Sequence, residues 1–291
     1  MFLNFLMLGI INGGIYALIA VGLSLLFGVL QVINVSHGEW VTFGGYAAVV
    51  LIAGLALNPF LGILGAGIGG CLLSVGIYFL LISPLRKRME TRPPGPTYLV
   101  LTLGLSMFLQ NSFILIASPN FLTIPPSLPG VSNIFGVLIQ NQRLLIFGIA
   151  ALLLIGFFMF LKKAKLGMAI RAVAQNPTAA LCSGIDPRVA FAACFGIAGI
   201  CTGIGGALIG SALRVYPTFG FELLLKGFAV TVIGGLGNLV GSLVAAYLIG
   251  IAESLAVMWL PMEWKSAVSF VFMVFVLIIR PRGLFGKEGQ R

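Results

Sequence analysis

Charged side chains make up only 8% of these 291 residues, so an ionisable or strongly polar group inside an apolar run is a candidate for chemistry. Asn34, Ser36, His37 and Glu39 cluster in the brief polar stretch at 31–39, around Gly38, and Glu253 stands inside the apolar run 238–258. His37 is the only histidine. An imidazole titrates near neutral pH, so this set could relay protons along a pathway. The competing role, which is favoured, is structural: Asn34 and Ser36 carry side chains suited to capping helix ends broken at Gly38. Glu222 and Lys226 are four residues apart, the spacing of an ion pair on one helix face, serving either as an external interfacial pair or as part of a gate. Catalysis finds no support, because no Ser/His/Asp set or paired carboxylates occur together. Cys71, Cys182, Cys194 and Cys201 are scattered without metal-ligand spacing. No GxxxxGK[ST] phosphate loop is present, and GAGIGG at Gly65 to Gly70 lies mid-run with no strand before it. No metal, catalytic group or cofactor is expected.

Hydropathy sets the elements that must hold these groups. The chain is 59% hydrophobic with a mean hydropathy of +1.13, which excludes a water-soluble fold. A membrane span needs roughly 20 apolar residues. On that ruler helices fall at about 3–30, 40–57, 59–84, 97–117, 143–161, 189–213, 222–234, 238–258 and 264–280. The expected fold class is all-α, a polytopic transmembrane helical bundle forming one domain over 1–291 with about eight or nine membrane segments. The 222–234 piece is too short for an ordinary span and reads as a half-helix or re-entrant element, with the break at Gly234, Gly235 and Gly237 then lying at membrane depth. The segment 118–142 has four prolines and no charge, and is expected to be an extended, partly packed cap.

Charge placement orients the chain. Thirteen of the 17 Lys and Arg residues fall in three stretches, 85–96, 162–190 and 280–291. Basic loops beside apolar spans face the cytoplasm. With all three inside, the N-terminus is outside, the C-terminus is cytoplasmic and the 31–39 cluster sits near the cytoplasmic face. The net charge of +10 therefore reports orientation and attraction to the anionic lipid bilayer, not nucleic acid. Small residues such as those of Ala193 to Gly210 predict close helix packing. A faint echo between the helix starts at Gly38 and Gly237 hints at an internal repeat.

The loop 162–188, KKAKLGMAIRAVAQNPTAALCSGIDPR, is long enough to project from the membrane and reads as a short helix over 167–182 interrupted at Asn176-Pro177. An alanine-faced helix offers a smooth surface to another protein. Its pattern of Gly167, Arg171, Ala172, Ala174, Ala179, Ala180 and Gly184 resembles the cytoplasmic coupling loop of ATP-binding-cassette importer permeases. The blocks NGGIYALIAVG at Asn12, INVSHGEW at Ile33, LTLGLSMFLQN at Leu101, RAVAQNPTAALCSGI at Arg171, the long run from Val215 to Leu255 and RPRGLFG at Arg280 together resemble the high-affinity Leu/Ile/Val permease family over nearly the whole chain. The resemblance implies an inner-membrane subunit that works with a second related permease, two cytoplasmic ATPases and an extracytoplasmic binding protein. Related importers carry urea, short amides or other small solutes. The rivals are an ion-coupled secondary transporter using His37, Glu39 and Glu253, and more remotely a membrane-embedded enzyme.

Overall fold

A computed structural model describes residues 2–88, 95–117, 120–134, 136–261 and 264–286. It is a helical bundle, and six helices are long and apolar enough to cross a membrane: Phe2–Leu30 (α1), Pro59–Arg86, Pro96–Ala117, Asn141–Lys163 (α6), Pro187–Ala212 (α9) and Leu239–Ala256 (α11). The second of these is built from α3 (Pro59–Ile77), a π-helical turn and α4 (Ser83–Arg88); the third is α5, Gly95–Ala117. Shorter helices are α2 (His37–Ala48, continued by a π-helical turn to Gly54), α7 (Lys165–Gln175), α8 (Pro177–Cys182), α10 (Phe219–Gly234) and α12 (Lys265–Ile279). Helix starts follow local chemistry. Asn58-Pro59, Asn176-Pro177 and Asp186-Pro187 each place a side-chain acceptor on the first free N–H groups and a proline where no N–H is needed.

The cap at 120–140 is more ordered than expected. Strand β1 (Val131–Ile134) pairs antiparallel with β2 (Val137–Gln140). Val137 and Ile139 are buried against Ile11 of α1, because period-two alternation in VLIQ gives the hairpin one apolar face. A second tie is the isolated bridge between Leu122 and Val215.

Glycine contacts organise the core. α1 runs antiparallel to α11, with Gly13 against Ala246 and Tyr247 and Gly28 against Gly237. α3 runs antiparallel to α9 through Gly67 on Ile204 and a 2.8 Å bond from Ser74 Oγ to the Phe195 carbonyl. The short helices α2 and α10 cross: a Cβ on Gly38 would sit 2.7 Å from the Gly220 carbonyl oxygen, and the Gly220 N–H donates to Thr42 Oγ1 at 3.0 Å. The order long, short, long thus occurs twice, as α1-α2-α3 and α9-α10-α11, with the outer helix of each set packed on the first helix of the other. The pairing corrects the echo between Gly38 and Gly237, since the counterpart of α2 is α10 and Gly237 only opens α11.

Candidate functional site

The polar cluster at 34–39 lies at mid-height of the bundle, not near its basic end. After α1 stops at Leu30, Gln31 takes a left-handed conformation (φ 54°) and turns the chain back inward, where the Val35 N–H donates to Thr102 Oγ1 at 3.2 Å. His37 Nε2 lies 3.2 Å from the Ile19 carbonyl, and Gly22 lies between its ring and Ala198, near the middle of α9. Ser106, at the midpoint of α5, donates to Glu39 Oε1 at 3.1 Å. Asn34, Ser36, His37 and Glu39 are all buried. Parity along the sequence cannot detect a segment that doubles back, which is why the depth was misjudged. The capping role also fails: Ser36 Oγ donates to Asn34 Oδ1 at 2.7 Å and makes no bond to the helix end. The Glu39 N–H is taken by the Ser36 carbonyl instead. Among the described residues, Asn34 Nδ2, His37 Nδ1 and Glu39 Oε2 have no hydrogen-bond partner.

Glu253 belongs to a different group. Its carboxylate accepts from Tyr16 at 2.7 Å, from Lys226 at 3.0 Å and from Ser269, and it is fully buried. Lys226 also donates to the Tyr16 hydroxyl at 3.1 Å. The expected pairing of Lys226 with Glu222 is therefore overturned. Glu222, one turn earlier on α10, is exposed, while the fully buried carboxylate of α11 reaches Lys226 from the protein side, where the effective dielectric is lower and the attraction is stronger. Tyr16 and Ser269 escaped sequence reasoning, since an uncharged hydroxyl in an apolar run is a common packing residue.

Above this group opens a cavity of about 360 Å³. It lies between the N-terminal half of α1, the start of α6, the last turn of α9 and the start of α10, and Tyr16 and Lys226 are in its wall. α10 runs away from it alongside α1, from Lys226 at Tyr16 to Gly227 at Ile19. It ends at Gly234 and Gly235, which pack on Gly241 and Gly286. Gly235 and Gly237 have φ values of 100° and 80°, which a side chain would strain, and the break is a tight turn at the end of the bundle beside Gly28, not a gap at depth.

At that same end α7 and α8 form the projecting loop. Asn176 divides them at the expected interruption and caps α8 by accepting from Thr178 and Ala179 at 3.0 Å. Arg171, Ala179 and Gly184 are exposed, but Ala172 and Ala174 are half-buried and Ala180 is buried. Gly167 is also buried, with Leu161 Cα 2.7 Å from where its Cβ would stand; it serves the tight corner from α6 to α7. α9 starts from Asp186 at this loop and reaches the cavity at Ile209 and Ala212 without interruption.

A bundle with a cavity at one end, a projecting loop at the other and one helix joining them fits a transport component. The family model described as branched-chain amino acid transport system, permease component, matches residues 5–277. The chain belongs to this family. Among its relatives, LivH of Escherichia coli K12, named a high-affinity branched-chain amino acid transport system permease protein, is 29% identical, covering 98% of this chain and 96% of LivH. BraD of Pseudomonas aeruginosa, named likewise, is 29% identical over 98% of this chain and 96% of its own length. LivM of E. coli K12 is 25% identical over 93% of this chain and 67% of LivM. No solved structure matches the chain. Members of this permease family are transport components and not enzymes. For this branched-chain permease family member, the deep carboxylates are therefore to be understood through packing and passage, not catalysis.

Proposed function

We propose that this chain is one permease half of an ATP-driven importer of leucine, isoleucine and valine in a bacterial-type inner membrane. Its N-terminus is outside and its C-terminus in the cytoplasm. A second related permease completes the pathway, two cytoplasmic ATPases supply the energy, and an extracytoplasmic binding protein delivers the substrate. The six long helices with α2, α10 and α12 make nine membrane segments, of which α10, at 16 residues, is the half-helix.

The observation that carries this proposal is α9, a single helix of 26 residues running from the alanine loop to the cavity. Movement imposed on α7 and α8 by an ATPase would be delivered along α9 to the cavity wall. The exposed contact surface on that loop is Arg171, Ala179 and Gly184, and Gly167, Ala172, Ala174 and Ala180 hold the loop on the bundle. The α2/α10 crossing, bare of side chains at Gly38 and Gly220, is where the two halves of the core can slide.

The test is uptake of radiolabelled leucine by cells lacking this gene, with and without a partner ATPase disabled in its phosphate-binding lysine. Loss of uptake in both supports an ATP-driven leucine permease. Uptake that survives loss of the ATPase but not of this chain would replace it with the ion-coupled reading, for which the unpartnered His37 Nδ1 and Glu39 Oε2 speak. Uptake indifferent to both would turn the search to urea, short amides or another solute.

A further inference from the structure

Four basic residues lie outside the three basic stretches: Arg143, Arg214, Lys226 and Lys265. They are distant in sequence, yet Arg143, Lys226 and Lys265 all line the one cavity between α1, α6, α10 and the start of α12. Positive charge on the proposed outer side runs against the general bias of membrane proteins, so its convergence requires a cause. Lys226 has one, the buried carboxylate of Glu253 at 3.0 Å. Among the described residues, Arg143 and Lys265 have no acidic partner within ion-pair distance. Glu222 is the one carboxylate among the residues lining the cavity. The rest of the wall is largely aliphatic, including Leu8, Ile11, Ile15, Ile146, Ile209 and Leu223.

We infer that this cavity is a binding site for a free aliphatic α-amino acid, its carboxylate held by Arg143 and Lys265, its ammonium facing Glu222 and its side chain on the Leu and Ile wall. The inference rests on the proposed transport of such substrates and adds a place where one is held within this subunit. Several features favour it. A volume of about 360 Å³ is at the small end of ligand pockets. A guanidinium and an ammonium without a counter-ion among the described residues bind a carboxylate with charge-assisted hydrogen bonds. An apolar wall with few convergent charges tells an aliphatic amino acid from a polar one by leaving polar side chains unpaired. Lys226 is paired with Glu253 at the base of the site, so the bound carboxylate meets Arg143 and Lys265.

The experiment measures equilibrium binding of radiolabelled leucine to the whole importer in nanodiscs, without the binding protein. Wild type should bind saturably, and leucinamide, which lacks the carboxylate, should compete at least tenfold more weakly than leucine. The double variant Arg143→Gln/Lys265→Gln should lose at least tenfold in affinity while still co-purifying with its partners. Arg214→Gln should bind normally, because Arg214 lies toward Phe121, 6.0 Å from its ring centre, and not in the cavity wall. Equal competition by leucinamide overturns the inference even if the variants fail to assemble. So does unchanged leucine binding in the double variant, including the case where only docking of the binding protein weakens, which would assign the two cations to a protein partner. Transport separates the two levels: if wild type imports leucine and the double variant imports it equally well, the permease proposal stands and this site falls. If wild type imports none of the three branched-chain amino acids, both fall.

Discussion

Two buried polar groups face each other along α1, and they solve the same problem in opposite ways. Around Tyr16, the carboxylate of Glu253 collects Lys226, the tyrosine hydroxyl and Ser269, so charge is neutralised and the oxygens are bonded. Around Ile19 and Gly22, the cluster of Asn34, His37 and Glu39 is equally buried but leaves three polar atoms without a partner among the described residues, beside a helix crossing packed on bare glycine. The closed network fixes α1, α10, α11 and α12 to one another. The open one stores no comparable attraction between α2, α5 and α10, and parts with low mutual attraction are the ones that can move.

The comparison is broken most severely at Glu253. Glu253→Ala takes the shared acceptor from Tyr16, Ser269 and the partly exposed Lys226, and a loss of about 3 kcal/mol is expected, read as a large drop in thermal stability and yield in detergent. If the variant is as stable as wild type, the network is not the clamp described. Next comes Gly38→Leu at the crossing, where a Cβ already meets the Gly220 carbonyl at 2.7 Å. Overpacking there costs about 1–3 kcal/mol, and leucine uptake should fall much further than the amount of inserted protein. Equal loss of both would make the crossing merely structural.

A smaller effect sharpens the contrast at the far end of α9. Asn176→Ala removes the cap of α8 and should cost about 1 kcal/mol, visible as faster proteolysis of the loop in inverted vesicles. Smallest for the fold is Ala179→Glu, an exposed change expected to stay within about 0.5 kcal/mol. It should nevertheless reduce co-purification of the ATPases several-fold; normal co-purification and uptake would remove Ala179 from the contact surface.

Much of the architecture was legible beforehand because hydropathy and charge are local properties. The long helices start within a few residues of where 20-residue apolar runs predict them, and Asn-Pro or Asp-Pro pairs mark several starts. The short helix α10 was visible as a run shorter than an ordinary span. What escaped were features made by chain reversal: the turn at Gln31 that carries His37 and Glu39 to mid-height, and the hairpin that orders the proline-rich cap. The alanine pattern of the loop was readable, yet which alanines face outward depended on the division at Asn176 and on the packing of Ala180.

The sequence alone settled that this chain is a polytopic membrane protein with basic stretches at one end and an alanine-rich loop among them, since each of those rests on residues close together in the chain. Tertiary structure decided that Lys226 turns from Glu222 to Glu253, that Arg143 and Lys265 arrive beside it, and that Gly38 meets Gly220. These partners are tens to nearly two hundred residues apart, and only the packing of antiparallel helices on their small residues brings them within reach of a hydrogen bond or a charge.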